Sequence, residues 1–351
     1  MSRQQRIGIL FGSFDPVSRV QYDGFVRILD AGEADRLLVL PVPADDVRPC
    51  AADAEDRWKM LVAACSRDKR LVPCRLFLDR KSDSPAGILA ALEKEYPGSR
   101  LCGVSENGSL QKPVFRLFGG EIPAGSLMET LSSGNAETGL GIPVLEYCRC
   151  KGLYGARGRL ENIDAWTDGL FAALKPRRFA HSLSVAYTAR RLALLHGLDP
   201  LRAEQAGLLH DCAKCLPLEE MQRIALDSSL TDDPEILRSG ALLHSVVGAR
   251  VALEQYGMED PQVLDAIRYH NTGCPGMSRL AMCVCLADSI EPLRDSYPLL
   301  EQIRALAGES LERALLLSLE STAEYVTSRG YYLHPRTRDT VRWLKSLPDT
   351  Q

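Results

Sequence analysis

The chain has 351 residues, which is long for one small domain and suits two. Hydrophobic residues make up 45% and charged residues 25% of the sequence, which excludes a disordered or fibrous chain. The formal net charge of −4 leaves little excess positive charge for a polyanion-binding surface, so nucleic acid is excluded as the main partner.

The sequence has no membrane or secretory signal. No apolar run approaches the length of a membrane span, and the opening residues, Met-Ser-Arg-Gln-Gln-Arg, lack an apolar centre. We therefore expect a cytoplasmic protein without a membrane partner, and a homodimer stays open. The eleven cysteines are scattered and odd in number, which predicts mostly buried, reduced thiols. Cys212 and Cys215 form a C-x-x-C that lacks the second pair of a zinc finger.

The first half of the chain alternates strand-like and helix-like stretches. The predicted strands are 6–11, 36–42, 71–78 and 100–104, and the predicted helices between them are 19–31, 53–66 and 84–96. This alternation predicts an α/β domain with a parallel sheet covered by helices.

The strand pattern is absent from the second half, which is predicted to be all-α. The predicted helices are 178–196, 200–213, 240–256, 260–270, 278–290 and 308–329. Residues 151–159 between the halves carry three glycines and several charges without apolar periodicity, as a connector does. We therefore predict two domains, 1–157 and 158–351.

The histidines separate the two halves, because all six lie at or after residue 181. Any imidazole chemistry must belong to the second half. His196 lies at a predicted helix end and His334 precedes a proline, so we expect these two to be capping or surface residues.

The other four histidines and two aspartates interrupt apolar helical stretches in five separate segments. They are His181, His210, Asp211, His244, His270 and Asp288. A single such histidine is more often a hydrogen-bonded core residue. Five segments that each carry a costly buried polar group are best explained by convergence on one site. Four imidazoles and two carboxylates exceed the needs of one metal, and they suit two metals bridged by Asp211.

The motifs around these residues make the second half resemble the HD superfamily, and within it the YqeK-type symmetrical diadenosine tetraphosphate hydrolases. They are R-F-x-H-S at 178–182, A-G-L-L-H-D-x-A-K at 206–214, L-L-H-x-x-x-G-A at 242–249, A-I-x-x-H at 266–270 and L-A-D-x-I-E-P-x-R at 286–294. The resemblance covers residues 170 to 345, approximately, and implies an all-α HD-domain fold.

The resemblance also implies roles for individual residues. His181, His210, Asp211 and Asp288 would hold one metal, and Asp211, His244 and His270 the other. We expect one or two ions, with iron first and manganese or another divalent ion as alternatives. The catalytic residues would be Asp211 and Lys214. The substrate-binding residues would be Arg178, Lys214, Asn271, Thr272, Gly273 and Arg294. Asn271 departs from the threonine that the family usually has there.

The expected reaction is cleavage of diadenosine tetraphosphate into two ADP, by a water whose pKa the metals lower. Three alternatives stay open. The helical half could act on another nucleotide, or the chain could be a nucleotide-binding regulator that has lost both activities. It could also be a working nicotinate-nucleotide adenylyltransferase.

That last alternative comes from the segment at 8–16, Gly-Ile-Leu-Phe-Gly-Ser-Phe-Asp-Pro, a strand followed by a glycine-containing turn. Here the first half resembles bacterial nicotinate-nucleotide adenylyltransferases over residues 5 to 155, approximately, which implies a Rossmann-like nucleotidyltransferase fold. The candidates for residual nucleotide binding are Gly12, Ser13, Phe14 and Asp15.

The departures from that family predict a silent domain. Ser18 and Gln21 stand where the family has two histidines, and Gly134 and Glu137 stand where it has a phosphate-binding threonine and arginine. None of these four residues supplies the positive charge that adenylyl transfer needs, and Glu137 would repel a triphosphate.

Overall fold

The computed structural model describes residues 4–45, 49–81, 83–104, 110–111, 127, 131, 139–156 and 162–348. The chain divides into two compact units, Met1–Asp164 and Ala165–Gln351. The predicted boundary near residue 157 lies close to this division. Among the described residues, no helix is both long enough and apolar enough to cross a membrane.

The described part of the first unit alternates strands and helices. Its elements are β1 (Arg6–Gly12), α1 (Arg19–Asp30), β2 (Arg36–Pro41), α2 (Ala54–Cys65), β3 (Leu71–Pro73), α3 (Leu76–Asp79), α4 (Pro85–Glu95), β4 (Arg100–Val104), β5 (Leu110–Gln111), α5 (Ile142–Lys151) and a short 3₁₀ helix (Leu153–Gly155). This confirms the α/β class.

The five strands form one sheet in the order β3-β2-β1-β4-β5. β3, β2, β1 and β4 are parallel, and β5 is antiparallel to β4. The chain moves outward from β1 to β3 and then crosses back to β4 on its other side, which is the order of a Rossmann-type half. β1 is central, and Ile7, Ile9 and Phe11 belong to the hydrophobic core with Leu38 and Leu40 of β2.

The predicted strand 71–78 is wrong in its second part. β3 stops at Pro73, and Leu76–Asp79 form a helical turn. β3 is an edge strand that pairs only with β2 through three residues, and Pro73 offers no N–H to extend the ladder. The apolar side chains after it serve packing instead, because the Phe77 ring meets Phe11 edge-on with 6.0 Å between ring centroids.

The described part of the second half is helical, as predicted. Its helices are α6 (Ile163–Ala173), α7 (Pro176–Leu195), α8 (Pro200–Leu209), α9 (Leu218–Asp227), α10 (Pro234–Arg238), α11 (Gly240–Tyr256), α12 (Pro261–Tyr269), α13 (Arg279–Ile290), α14 (Leu300–Ala307), α15 (Leu311–Ser328) and α16 (Pro335–Ser346).

Five of these helices, α6, α9, α10, α14 and α16, were not predicted. Several bury only a thin apolar stripe: α9 buries only Met221 and Ala225, and two of the three buried residues of α16 are threonines. Such short helices offer few buried apolar positions from which a helical period could be recognised in the sequence. α8 is shorter than predicted, because it ends at Leu209 rather than at residue 213.

α7 and α8 lie in backbone contact at Gly207. A Cβ atom added to Gly207 would lie 2.9 Å from Cα of Ala186 and 3.0 Å from the carbonyl oxygen of Val185. Only a residue without a side chain fits between the two helices at this point. This contact matters for the site, because α7 carries His181 and α8 leads directly into His210.

Candidate metal centre

The structure brings together the six residues that the sequence singled out as metal ligands. His181 lies in the first turns of α7, His244 on α11 and Asp288 near the end of α13. His210 and His270 directly follow the last residues of α8 and α12, as their C-caps, and Asp211 follows His210. All are buried except Asp288, which is half-buried as a residue.

Asp211 lies at the centre of this cluster. Its Oδ1 is 3.1 Å from Nε2 of His244 and 3.7 Å from Nε2 of His270. Its Oδ2 is 3.3 Å from Nε2 of His210 and 3.8 Å from Nε2 of His181. Each carboxylate oxygen thus faces one pair of histidines, which is the arrangement a bridging ligand needs.

Asp288 completes one side of the cluster. Its Oδ1 lies 3.0 Å from Nε2 of His181 and 3.8 Å from Nε2 of His210. Ligand atoms of His181, His210 and Asp211 lie within 4.8 Å of one another, as do those of Asp211, His244 and His270. Two overlapping donor groups therefore share Asp211.

Three inward-facing atoms of the cluster are buried without an acceptable hydrogen bond: Nε2 of His181, Nε2 of His210 and Oδ1 of Asp211. Such atoms are costly to bury, because each loses its hydrogen bonds to water. Cations coordinated between these nitrogen and oxygen donors would satisfy all three atoms at once. The residues present thus fit a metal site.

Three of the four imidazoles have their outer nitrogen, Nδ1, against a backbone carbonyl. The acceptors are the carbonyl oxygens of Gly207 for His210 (2.7 Å), Ile267 for His270 (2.8 Å) and Gly240 for His244 (3.2 Å). A carbonyl oxygen can only accept, so these contacts favour a proton on Nδ1 and leave the lone pair on Nε2, facing Asp211.

The charges of the cluster favour metal binding. Burial, together with the charges of His210 and His244, lowers the pKa of His270 to about 3. Burial also lowers the pKa of His244. Burial alone would raise the pKa of Asp211, but the neighbouring histidines hold it well below its usual range. At neutral pH these groups are neutral imidazoles and an ionised carboxylate, the forms that bind metals.

The three predicted cationic residues all contact the cluster. Arg178 Nη1 lies 2.5 Å from Asp211 Oδ2, and Arg294 Nη2 lies 2.9 Å from Asp288 Oδ1. Lys214 Nζ lies 3.1 Å from His244 Nε2, and burial lowers the pKa of this lysine. A short cationic rim, Arg178, Lys214 and Arg294, therefore adjoins the donors.

The segment after His270 is held by neighbouring elements. The side-chain Nδ2 of Asn271 donates to the carbonyl of Ala241 at 2.6 Å, and the buried hydroxyl of Thr272 donates to the carbonyl of Gly273. Gly273 has a φ of +65°, and an added Cβ would lie 2.6 Å from a methyl carbon of Thr340 on α16. The substrate role of Asn271, Thr272 and Gly273 stays a prediction.

Sequence reasoning missed Glu291, a buried carboxylate that contacts the cluster. Its Oε1 lies 3.1 Å from Nδ1 of His181, the one cluster histidine whose outer nitrogen does not face a carbonyl in the described structure. The sequence signal for this contact was the position of Glu291, which lies three residues, or about one helical turn, after Asp288.

His196 and His334 lie outside the cluster, in capping positions as expected. His196 ends α7 and contacts the carbonyl of Ala307 at 2.8 Å. His334 begins α16, accepts from the amide of Arg336 and lies 3.0 Å from Asp233. His334 is buried, so of the two expected roles, capping or surface, the capping role applies.

All eleven cysteines are free thiols. Cys212 is buried against the carbonyl of Gly248, and burial raises the pKa of its thiol. Its environment is that of an inert core thiol rather than of a reactive one.

In the first unit, the turn after β1 is held by the protein's own groups. The Asp15 carboxylate accepts from the amides of Ala51 (2.5 Å) and Ala52 (3.0 Å) and from the Tyr154 hydroxyl (2.5 Å). Arg57 is buried and donates to the carbonyl of Ser13 at 2.7 Å.

The other candidate residues of that turn are closely packed. Phe14 is buried, and an added Cβ at Gly12 would lie 2.6 Å from its ring. Residual nucleotide binding by Gly12, Ser13, Phe14 and Asp15 stays a prediction.

Ser18 and Gln21, at the positions where the adenylyltransferases have histidines, form a capping box at the start of α1. The Ser18 amide donates to Gln21 Oε1 at 2.9 Å, and the Gln21 amide donates to Ser18 Oγ at 3.0 Å. Both residues are buried. Gly134 and Glu137 lie outside the described residues.

Comparisons with known proteins agree with this division. The HD domain family model matches residues 178–293. The symmetrical bis(5′-nucleosyl)-tetraphosphatase of Bacillus subtilis strain 168 is 37% identical over 178 residues, which cover 49% of this chain and 92% of the relative.

Two further matches are to proteins of other bacteria. A probable nicotinate-nucleotide adenylyltransferase/Ap4A hydrolase of Mycoplasma genitalium is 35% identical over 43% of this chain and 44% of the relative. The crystal structure of a predicted HD superfamily hydrolase involved in NAD metabolism, from Clostridium acetobutylicum, is 39% identical, with a TM-score of 0.51 over 52% of this chain and 96% of that one.

The helical fold and the buried histidine–aspartate cluster define the second unit as an HD domain, a class that binds divalent metals. More narrowly, the chain belongs to the family of symmetrical bis(5′-nucleosyl)-tetraphosphatases, whose Bacillus member it spans almost completely. The nucleotidyltransferase-like α/β unit precedes this domain, as in a fusion protein.

Proposed function

We propose that the helical unit hydrolyses dinucleoside polyphosphates in a metal-dependent reaction and cleaves diadenosine tetraphosphate into two ADP. The observation that carries this proposal is the set of buried donor atoms around Asp211 that lack hydrogen bonds, next to three cationic side chains. Such a site combines metal ligands with groups that bind phosphate oxygens. The names of the relatives supply the dinucleotide as substrate.

We propose that His181, His210, Asp211 and Asp288 hold one ion and that Asp211, His244 and His270 hold a second. Mixed imidazole and carboxylate donors suit iron, with manganese or another divalent ion as the alternatives. Bound cations in this position supply a nucleophile near neutral pH and neutralise charge on the phosphate.

The chain's own contribution is positioning and charge. Arg178 and Arg294 can each present two parallel N–H donors to a phosphate, whereas Lys214 offers a compact charge. Each of these cations is already within 3.1 Å of a cluster residue. A polyphosphate that reaches the metal centre would therefore meet all three cations. Asp211 would act as the bridging carboxylate.

The test is product analysis with the full chain. The protein is loaded separately with iron under anaerobic conditions and with manganese, and its metal content is measured. It is then incubated with di-, tri- and tetraphosphate-bridged diadenosine compounds and with mononucleotides. We expect two ADP from the tetraphosphate. Products of AMP plus ATP would contradict symmetrical cleavage, and turnover of mononucleotides alone would favour a different nucleotide substrate.

The first unit is proposed to be catalytically silent. The capping box at the start of α1 supports this, because Ser18 and Gln21 direct their polar atoms to each other's backbone and carry no positive charge. We expect no dinucleotide from ATP and nicotinate mononucleotide. Removal of residues 1–155 should leave metal-dependent hydrolysis largely intact, since the Bacillus relative consists almost entirely of the matched half. Transferase activity of the full chain that depends on the first unit would refute a silent domain.

A further inference from the structure

The end of α13 places a second acidic residue beside the metal centre. Glu291 directly follows Ile290, the last residue of α13, and is only 1% exposed. Its Oε1 lies 3.1 Å from Nδ1 of His181, and its Oε2 accepts the amide of Leu293 at 2.5 Å. Both carboxylate oxygens are thus in use, one toward the cluster and one toward the turn that follows the helix.

This contact distinguishes His181 from the other three cluster histidines. In the part of the chain that the structure describes, those three direct Nδ1 to backbone carbonyls, which are neutral acceptors. A carboxylate acceptor fixes the ring as firmly and also makes the opposite nitrogen a stronger donor to a cation. Nε2 of His181 is the atom that faces Asp288 and Asp211.

Glu291 is itself held in place. Arg304 on α14 donates to the carbonyl of Glu291 at 2.9 Å and to the carbonyl of Ile290 at 3.0 Å. The hydrogen bond from Leu293 shapes the turn that delivers Arg294 to Asp288. Movement of the Glu291 carboxylate would therefore disturb both His181 and Asp288, which lie on the same side of the cluster.

We infer that Glu291 is a positioning residue, which orients His181 and strengthens it as a metal ligand from the far side of the ring. This inference rests on the metal site of the proposed function. Outer partners of metal-binding histidines typically contribute about 10- to 100-fold in metal affinity. The contribution of Glu291 should fall on the ion held by His181, His210, Asp211 and Asp288.

The variants separate the charge of Glu291 from its shape. Glu291→Gln keeps an oxygen that can accept from Nδ1 but removes the charge, and Glu291→Ala removes both. Glu312→Gln is the matched control, because Glu312 pairs with Arg279 at 3.0 Å at the other end of α13. All are made in the full chain, stripped with a chelator and titrated with Mn²⁺, and free Mn²⁺ is followed by electron paramagnetic resonance.

We expect Glu291→Ala to weaken one class of Mn²⁺ site by about 10- to 100-fold and Glu291→Gln by a smaller factor. The control should bind like the wild type. A merely structural residue would change the thermal unfolding of the metal-free protein without this one-site loss. The Nδ1 proton resonance of His181, assigned by its loss in His181→Asn, should shift in Glu291→Gln while the resonances of the other three cluster histidines stay in place.

The outcomes distinguish a failure of the Glu291 inference from a failure of the proposed metal site. If the wild type binds Mn²⁺ and the folded Glu291 variants bind it equally well, the inference fails and the proposed function stands. If Glu291→Ala does not fold, Glu291→Gln decides by the same criterion. If the wild type binds no Mn²⁺ or other divalent ion, the proposed metal site fails and the inference fails with it.

Discussion

The start of α1 with the turn before it, in the first unit, and the metal centre of the second unit treat buried polar groups in opposite ways. In the first unit, Ser18 and Gln21 hydrogen-bond to each other's backbone, and the Asp15 carboxylate accepts from two backbone amides and from the Tyr154 hydroxyl. In the second unit, Nε2 of His181 and Oδ1 of Asp211 are buried without an acceptable hydrogen bond. The first arrangement satisfies its polar groups without a ligand, whereas the second leaves donor capacity that a cation can use.

This difference shows how a site is recognised. Buried polar residues alone are common to both units, and so are motifs that resemble known families. What separates these two places is whether several inward-facing atoms that converge on one point have partners within the protein.

The largest effect is expected from Asp211→Ala. The carboxylate faces all four histidines through its two oxygens, so its loss should remove both ions. We expect hydrolysis to fall by at least about 1,000-fold, equivalent to roughly 4 kcal/mol of transition-state stabilisation. Metal content and turnover are measured on the same samples, with His196→Gln as the control. Normal metal content with retained turnover would exclude a bridging role.

Arg178→Gln should affect the substrate more than the metal. Arg178 contacts the cluster, whereas its neighbour Arg177 pairs with the exposed Asp295, so Arg177→Gln is a matched control. We expect kcat/KM to fall by about 10- to 100-fold, or roughly 1.4 to 2.7 kcal/mol, for Arg178→Gln and to change little for Arg177→Gln. A fall in metal content that matches the fall in rate would assign Arg178 to the metal site instead.

In the first unit we expect an effect on stability and none on catalysis. Ser18→Ala removes the side chain that caps α1, which should lower the free energy of unfolding by about 1 kcal/mol. Ser18→Thr keeps a hydroxyl cap and should lose less. Urea unfolding and hydrolysis assays are compared for both variants. Loss of nucleotide hydrolysis in Ser18→Ala at full stability would contradict a purely structural role.

The smallest effect concerns Asp233, the partner of a histidine outside the cluster. The hydrogen bond from His334 lowers the pKa of Asp233, and amides at the start of α10 lower it further. A depressed pKa in the folded state gives stability above the unfolded value of about 3.9, which is lost as the pH falls through the folded value.

Asp233→Asn tests this prediction, because asparagine also caps helices but carries no charge. At pH 6 the wild type should be more stable than the variant by less than about 1 kcal/mol, because the Asp233 carboxylate is partly exposed to water. The difference should shrink as the pH falls below about 4. Urea unfolding at several pH values measures it, and a difference that grows on acidification would contradict the assignment.

The sequence predicted the fold classes and most of the elements that carry the site. α11 begins and ends at the predicted residues, and α12 and α13 do so within one residue, because their apolar residues recur at helical spacing. The end of α8 at Leu209 was not predictable from periodicity, since the apolar pattern continues past His210. The break there comes from side-chain and backbone contacts that only the folded chain provides.

Glu291 illustrates the same limit at the site. A glutamate before a proline is usually a solvated residue at a helix end, so its position three residues after Asp288 is only a weak signal of a contact with His181, which is 110 residues earlier in the chain. The metal ligands were easier to find because each one breaks an apolar run. A residue that supports a ligand from outside leaves a much weaker trace in the sequence.

The backbone contact at Gly207 sets the distance between two of the metal-ligand candidates, His181 and His210. Because the α7 and α8 backbones touch there, the separation of the segments that carry His181 and His210 is set by main-chain atoms rather than by flexible side chains. Main-chain contacts yield little to thermal motion, so the distance between His181 and His210 on this side of the cluster is nearly fixed. For protein engineering, position 207 is therefore a place to adjust which ions fit, by moving one helix while all six metal-ligand candidates stay unchanged.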